Sequence, residues 1–163
     1  MRSHVTFAAC AAASVFACAP RTEEAKAPAQ AGDIARGKYL VQVAGCNDCH
    51  TAGYALAGGT IEESKWLLGD QLGWRGDWGT TYAANLRLAI QDMTAEQFVA
   101  RARSPLRPPM PWFNVRDMQD SDVMAIYAYL KHLGPAGEPA PAYVPPDQTP
   151  SGPYVQFPAM PKE

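Results

Sequence analysis

The chain has 163 residues, of which 47% are hydrophobic and 18% are charged. This length is typical of one domain, and the composition supports a packed core, so disorder throughout the chain is excluded. The formal net charge of -2 argues against bulk nucleic-acid binding, which needs a strongly basic balance.

Residues 1–18 have the pattern of an export signal. Arg2 provides a positive start, and the apolar run from Val5 to Ala17 is too short to span a bilayer. The stretch Val15–Cys18 resembles a bacterial lipobox, in which Cys18 is lipidated after cleavage before it. Ordinary cleavage near residues 17–19 is the alternative. Both predict a bacterial periplasmic protein, and the lipobox alternative adds a membrane contact through a lipid on Cys18.

Residues 19–32 combine alanine, proline and charges without apolar periodicity, which predicts a flexible tether. The folded domain is expected over residues 33–134. Asp33 is expected to cap a first helix that runs through Val43 and ends at Gly45. Leu86 to Ile90 add a turn or a short helix.

Two further helices are predicted in the second half of the domain. Thr94 and Gln97 have the spacing of a capping box, and the helix that follows them stops before Pro105. Asp120 or Ser121 caps the last helix, whose apolar residues repeat at helical spacing up to Gly134-Pro135. No alternating strand pattern of useful length is present. The predicted class is therefore all-α, with long loops between residues 51 and 84.

The C-terminal extension, residues 135–163, contains more than half of the 15 prolines. It cannot form a helix or a central strand. Its interspersed tyrosine, valine and phenylalanine residues favour an extended course against the domain surface, and a disordered tail is the alternative.

Cys46, Cys49 and His50 form a C-x-x-C-H sequence, the attachment site of a c-type haem. Two cysteines at this spacing can each form a thioether with one haem vinyl group, and the adjacent histidine then binds the iron. One covalent haem also explains why so few helices are accompanied by so many large aromatic residues. Cys10 and Cys18 belong to the signal, so no disulfide is expected.

Two other interpretations of this motif are weaker. A thioredoxin-like redox pair requires a βαβ setting, which is not apparent. A zinc site requires further ligands, and outside the motif the exported part of the chain offers only His132. That histidine lies in the last turn of the last helix, where a surface position is expected.

Met110 is the candidate for the second axial ligand. It lies in a stretch with prolines at 108, 109 and 111, which cannot join a helix and holds a side chain stiffly in a loop. Such a position suits a weak bond between iron and a thioether. The other methionines are expected to pack against helices or to lie in the tail, namely Met93, Met118, Met124 and Met160.

From residue 33 to residue 133 the chain resembles a class I mono-haem cytochrome c. The resemblance rests on the first helix with Gly37, the Cys46–His50 motif, the Met110 loop and the last helix. Two segments, Trp78–Asn85 and Pro109–Asn114, resemble cytochrome subunits and domains that serve periplasmic dehydrogenases. The resemblance implies crossed N- and C-terminal helices around the haem, with Gly37 permitting close approach.

The resemblance also implies a function. With His50 and Met110 both bound, the iron has no open position, which implies a one-electron carrier rather than an enzyme. A periplasmic dehydrogenase is then the expected donor, and a cytochrome or an oxidase the expected acceptor. A haem enzyme or gas sensor with five-coordinate iron is the alternative. A third candidate is a non-catalytic subunit fixed to one dehydrogenase.

Two groups of side chains are further candidates for contact with the haem, and each has an alternative role. Hydrogen bonds to the propionates are expected from Trp78, Tyr82 and Asn85, with ordinary packing as the alternative. Three arginines lie close to the Met110 loop in the sequence, namely Arg101, Arg103 and Arg107. They are expected to pair with the propionates, to form a basic docking patch, or to lie on a solvated helix face. The proline that often orients the haem histidine is missing from residues 56–59, and a backbone carbonyl there is expected to accept from His50.

Overall fold

A computed structural model describes residues 31–158 of the chain. The predicted export signal with Cys18, most of the tether, and Met160 lie outside the described residues. The helices are α1 (Ala31–Val43), α2 (Cys46–His50), α3 (Leu86–Ala89), α4 (Ala95–Ala102), α5 (Trp112–Arg116) and α6 (Asp120–Leu133). The strands are β1 (Gly73–Gly76), β2 (Gly79–Tyr82) and β3 (Tyr154–Gln156), and a 3-10 turn covers Glu63–Lys65.

The helix starts follow the predicted signals with two adjustments. The capping box is present, because Thr94 Oγ1 accepts from the Gln97 amide at 3.2 Å while Gln97 Oε1 accepts from the Thr94 amide at 2.8 Å. Helix α1 begins at Ala31, so Asp33 lies in its first turn and is not the cap. Helix α6 is preceded by Gln119, so Asp120 also lies in a first turn. From the first turn, both carboxylates still interact favourably with the dipole of their helix.

The prediction of an all-α fold is confirmed only in part: the described residues are mostly helical, but they also contain a three-stranded sheet in the order β2-β1-β3. Strands β1 and β2 form an antiparallel hairpin, and β3 pairs with β1 in parallel. The strands are only three or four residues long, too short for alternation to be recognised. Strand β3 comes from the proline-rich extension, where an edge position tolerates neighbouring prolines.

Helices α1 and α6 cross in close contact at Gly37. A Cβ atom at that position would lie 2.0 Å from the carbonyl oxygen of Ala125 and 2.7 Å from the Cβ of Tyr129. Around the crossing, the core consists of fully or nearly fully buried side chains, among them Leu40, Val41, Leu67, Ile90, Ile126, Tyr129 and Leu130. The missing side chain of Gly37 therefore lets the two helix backbones approach.

A polar network closes one end of this crossing. The Tyr129 hydroxyl donates to Glu63 Oε1 at 2.9 Å, and Lys38 pairs with the other oxygen of that carboxylate. The Lys38 ammonium holds the pKa of Glu63 below its usual range, and burial raises the pKa of Tyr129. Tyr129 therefore stays a neutral donor to an ionised carboxylate at neutral pH.

Arg87 of α3 forms hydrogen bonds to the C-terminal end of α6. Arg87 is 6% exposed, and its guanidinium donates to the carbonyls of Gly134 at 2.6 Å, Leu133 at 2.6 Å and Ser64 at 2.8 Å. Carbonyls at the end of a helix have no partner within it. A buried cation there provides them with hydrogen-bond donors and also interacts favourably with the helix dipole.

Replacing Arg87 with methionine is expected to lower the free energy of unfolding by about 2–4 kcal/mol, because three backbone carbonyls would lose hydrogen bonds from a buried, charged donor. Urea titration of the purified protein followed by circular dichroism measures this loss. Arg116→Met is the control, since Arg116 is exposed and pairs with its neighbour Asp117. Its expected change is within about 0.5 kcal/mol. Equal losses in the two variants would contradict a role for Arg87 as an anchor.

No helix in residues 31–158 is long and apolar enough to cross a membrane.

Candidate functional site

Helix α2 consists of the five residues of the C-x-x-C-H motif. It follows α1 directly through Gly45, whose φ of 69° is left-handed and suits glycine. Cys46 and Cys49 are partly buried free thiols, and burial raises the pKa of Cys46 to about 11. Since both thiols line one large cavity together with His50, the motif faces a single space.

His50 is buried, and the orientation of its ring is determined by one hydrogen bond. Its Nδ1 lies 2.7 Å from the carbonyl oxygen of Ala84, which follows β2. A carbonyl can only accept, so Nδ1 carries the proton and Nε2 keeps its lone pair for a metal. Burial lowers the pKa of His50, against the opposing effect of the Ala84 bond. The imidazole is therefore neutral, the form that binds iron.

The expectation that a carbonyl of residues 56–59 orients His50 is wrong, since Ala84 provides it. The backbone reaches this position because β2 ends at Tyr82 and the chain turns into α3 at Asn85. The carbonyl of His50 is itself bonded to the Gly69 amide at 2.8 Å. Two segments distant in sequence thus hold the motif in place.

The cavity has a volume of about 920 Å³ and a largely apolar wall. Cys46, Cys49, His50 and Met110 all line it, so the structure brings together the four predicted attachment and ligand side chains. Aromatic and aliphatic residues from α3, α4, α6 and the hairpin complete the wall, among them Trp74, Leu86, Ile90, Phe98 and Ile126. Such a wall fits a large, flat, apolar group.

Met110 is held in a loop attached to the hairpin. The Thr81 hydroxyl donates to the carbonyl of Pro108 at 2.6 Å, and the Trp112 amide donates to the carbonyl of Met110 at 2.8 Å. The prolines stop the chain from forming a helix until α5 begins at Trp112. Sequence reasoning missed α5, a helix that starts directly after Pro111, a residue tolerated at a helix start.

Met93 also lines the cavity, although it was expected only to pack against a helix. Its carbonyl accepts from the Tyr127 hydroxyl at 2.7 Å. No sequence signal distinguishes its side chain from that of a core methionine. Met118, Met124 and the exposed His132 do not line the cavity. Met110 and Met93 are therefore the thioethers that the described residues place at this site.

The three predicted propionate contacts lie in different places. Tyr82 lines the large cavity, whereas Trp78 packs against Phe157 with ring centroids 5.2 Å apart. The indole nitrogen of Trp78 is buried and has no partner among the described residues. Asn85 caps α3, and its amide nitrogen donates to the carbonyls of Ala136 and Glu138. The Asn85 side chain is thus already bonded to backbone.

The three arginines also differ. Arg101 and Arg107 line the cavity. Arg103 instead donates to the carbonyls of Val115, Arg116 and Met118 and pairs with Asp120, so it fastens α4 to α5 and α6. Pro141 and Tyr143, from the C-terminal extension, line the cavity too. The sequence predicted only that the extension, with Tyr143, runs along the domain surface, and it gave neither residue a place at this site.

The family model of cytochrome c matches residues 34–134. The chain belongs to the cytochrome c family. Among its relatives is the cytochrome subunit of fructose dehydrogenase from Gluconobacter japonicus, 31% identical over 74% of this chain and 25% of the relative. The cytochrome c subunit of the quinone-dependent alcohol dehydrogenase from Gluconobacter oxydans is 30% identical over 61% of this chain and 21% of that protein. No solved structure matches.

A third relative is a nicotinate dehydrogenase subunit from Pseudomonas putida, which is 26% identical over 76% of this chain and 10% of its own length. This cytochrome therefore spans a quarter or less of the length of these three relatives. All three are subunits of dehydrogenases.

Family membership implies a covalently bound haem c with iron, and the site fits this group. Two thiols and a neutral imidazole, the groups that attach haem c and bind its iron, line one apolar cavity together with a thioether, which is an axial ligand in cytochromes c. Within residues 31–158, no group of three or more His, Cys, Asp and Glu side chains could hold a different metal ion. The described residues of this cytochrome therefore offer no competing metal site.

Proposed function

We propose that this cytochrome is a one-electron carrier with a single haem c, bound through Cys46 and Cys49 and ligated by His50 and Met110. The observation that carries the proposal is that these four side chains line one cavity. A bound haem would supply one-electron chemistry between ferric and ferrous iron. If His50 and Met110 both held that iron, the protein would leave no position open for a substrate.

The side chains around the site suit this role. The Ala84 carbonyl holds the proton of His50 on Nδ1, which orients the ring and raises its basicity as a ligand. The proline loop restricts Met110 before a bond to iron forms, so little conformational entropy is lost. The apolar wall excludes water, which together with a thioether ligand favours the ferrous state and a high reduction potential.

The proposed setting is an exported electron-transfer chain. Residues 1–18 act as an export signal, 19–32 as a tether, 33–134 as the cytochrome domain and 135–163 as an extension. A periplasmic dehydrogenase is the proposed donor, supported by the dehydrogenase subunits among the relatives. A cytochrome or an oxidase is the proposed acceptor. A lipid on Cys18 would hold the protein at the membrane. A second candidate role for the protein is that of a fixed subunit of one dehydrogenase, supported by the same relatives.

An absorption spectrum of the purified holoprotein tests the ligand set. We expect a six-coordinate low-spin spectrum with the weak red band of a methionine–iron bond, and no CO binding on simple mixing with the ferrous protein. Ready CO binding would instead show five-coordinate iron and support a haem enzyme or gas sensor. Mass spectrometry of the protein from its native membrane measures the haem mass, the cleavage point and any acyl chains on Cys18.

A further inference from the structure

The charged side chains that line the large cavity are all positive. No aspartate or glutamate of the described residues lines it, whereas Arg101 of α4 and Arg107 of the proline loop do. The other titratable side chains on this wall are Cys46, Cys49, His50, Tyr82 and Tyr143. No carboxylate on this wall balances the two guanidinium groups. The cavity therefore favours a bound group that carries negative charge.

Tyr143 contacts Arg107 directly. The central guanidinium carbon of Arg107 lies 4.1 Å from the centroid of the Tyr143 ring, a close cation–π distance. The ring is itself held in place, because its hydroxyl donates to the carbonyl of Trp78 at 2.7 Å. The next residue, Val144, exchanges two backbone hydrogen bonds with Thr80, at 2.7 and 3.0 Å.

Tyr143 belongs to the C-terminal extension, which lies outside the residues matched by the family model. The extension is firmly attached to the hairpin. Arg75 donates to the carbonyls of Pro146 at 3.1 Å and Gln148 at 2.7 Å, and β3 pairs with β1. Phe157 packs against Trp74, which lines the cavity, with ring centroids 6.1 Å apart. The extension therefore contacts two residues of the cavity wall: Tyr143 contacts Arg107, and Phe157 contacts Trp74.

We propose that Tyr143 positions Arg107 on the cavity wall, where the guanidinium binds a carboxylate of the haem. The inference rests on the proposed function, because the carboxylates are the propionates of that haem. A guanidinium that lies over an aromatic ring keeps its in-plane N–H donors available, and those donors match a carboxylate. The extension thereby belongs to the cofactor site, with Tyr143 as a positioning residue.

The test uses the full-length holoprotein and two measurements other than electron-transfer activity. These are the reduction potential and the resonance Raman bending band of the haem propionates. Arg107→Gln is expected to lower the potential, because a positive charge beside the haem is lost, and to shift the propionate band. Arg107→Lys keeps the charge and is expected to restore much of the potential but not the band, since an ammonium lacks the planar fork.

Variants of Tyr143 test the positioning role. Tyr143→Leu is expected to shift both measurements in the direction of Arg107→Gln. Tyr143→Phe keeps the ring but loses the hydrogen bond to Trp78, so it is expected to cause a smaller shift in the same direction. Combining Tyr143→Leu with Arg107→Gln should add nothing beyond Arg107→Gln. Arg36→Gln is the matched control, because it removes the same charge from a residue that pairs with Asp122 and does not line the cavity.

Two results would overturn the inference while leaving the proposed function intact. One is an Arg107→Gln protein with a six-coordinate spectrum and wild-type values of both the potential and the band. The other is a change confined to the salt dependence of electron exchange with a dehydrogenase, which would assign Arg107 to a docking surface. Wild-type protein without covalent haem would overturn the proposed function itself.

Discussion

Replacing Gly37 with alanine is expected to lower the free energy of unfolding by at least about 3 kcal/mol, at the high end of overpacking costs. The added Cβ atom would lie 2.0 Å from the carbonyl oxygen of Ala125 and 2.6 Å from its carbonyl carbon. These are backbone atoms of α6, so no side-chain rotation relieves the overlap and the two helices must separate. The core residues around the crossing then lose contact with one another. Urea titration of the purified protein, followed by circular dichroism, measures the effect.

Intrinsic helix propensity predicts the opposite sign, which makes this substitution informative. Alanine is favoured over glycine within a helix by about 0.8–1.0 kcal/mol. Ala35→Gly, at an exposed position of the same helix, isolates that propensity and is expected to cost about this much. If Gly37→Ala stabilised the protein, or cost no more than Ala35→Gly, the close crossing of α1 and α6 would be refuted.

Replacing Met110 with alanine is expected to have the largest effect on the haem iron. The weak red methionine–iron band should disappear, CO should bind on mixing with the ferrous protein, and the reduction potential should fall. The fall should be a sizeable part of the roughly 0.8 V range over which axial ligands set haem potentials. The physical reason is that a thioether stabilises ferrous iron, and its loss opens one axial position. Absorption spectra and a redox titration of the variant measure these changes.

Met93→Ala is the matched control for Met110→Ala, because the Met93 side chain lines the same cavity. It removes the same number of atoms from the wall and is expected to keep the red band and the resistance to CO. Loss of the band in Met93→Ala, together with its retention in Met110→Ala, would assign the axial ligand to Met93. Loss in both variants would indicate that cavity packing, and not one bond, maintains the coordination.

Features encoded within a few residues could be predicted. The C-x-x-C-H motif is such a feature, since the chemistry of attachment requires two thiols and an imidazole within one helical turn. The capping box at Thr94 is another, because both of its hydrogen bonds join residues three apart. The start of α1 could not be located from Asp33, since a carboxylate in the first turn and one at the cap are both favourable.

The sheet could not be predicted, because its strands are short and its third strand pairs residues about 80 positions apart. Gly73 pairs with Tyr154, and Arg75 with Gln156. Neither segment carries an alternating pattern, so the pairing depends on where the extension runs over the hairpin. The hydrogen bonds from Arg75 to Pro146 and Gln148 hold it there, and no local signal identifies their acceptors, which are backbone carbonyls.

The sequence by itself determined that this protein carries a haem attachment motif, formed by Cys46, Cys49 and His50, and that prolines keep Met110 in a stiff loop. These conclusions follow from covalent chemistry and backbone restrictions, which act over a few residues. Only the tertiary structure decided that Ala84 orients His50, that Met93 faces the same cavity and that Tyr143 contacts Arg107. Those contacts join residues that are far apart in the sequence and are brought together by packing around the cavity, so no pattern within a few residues identifies them.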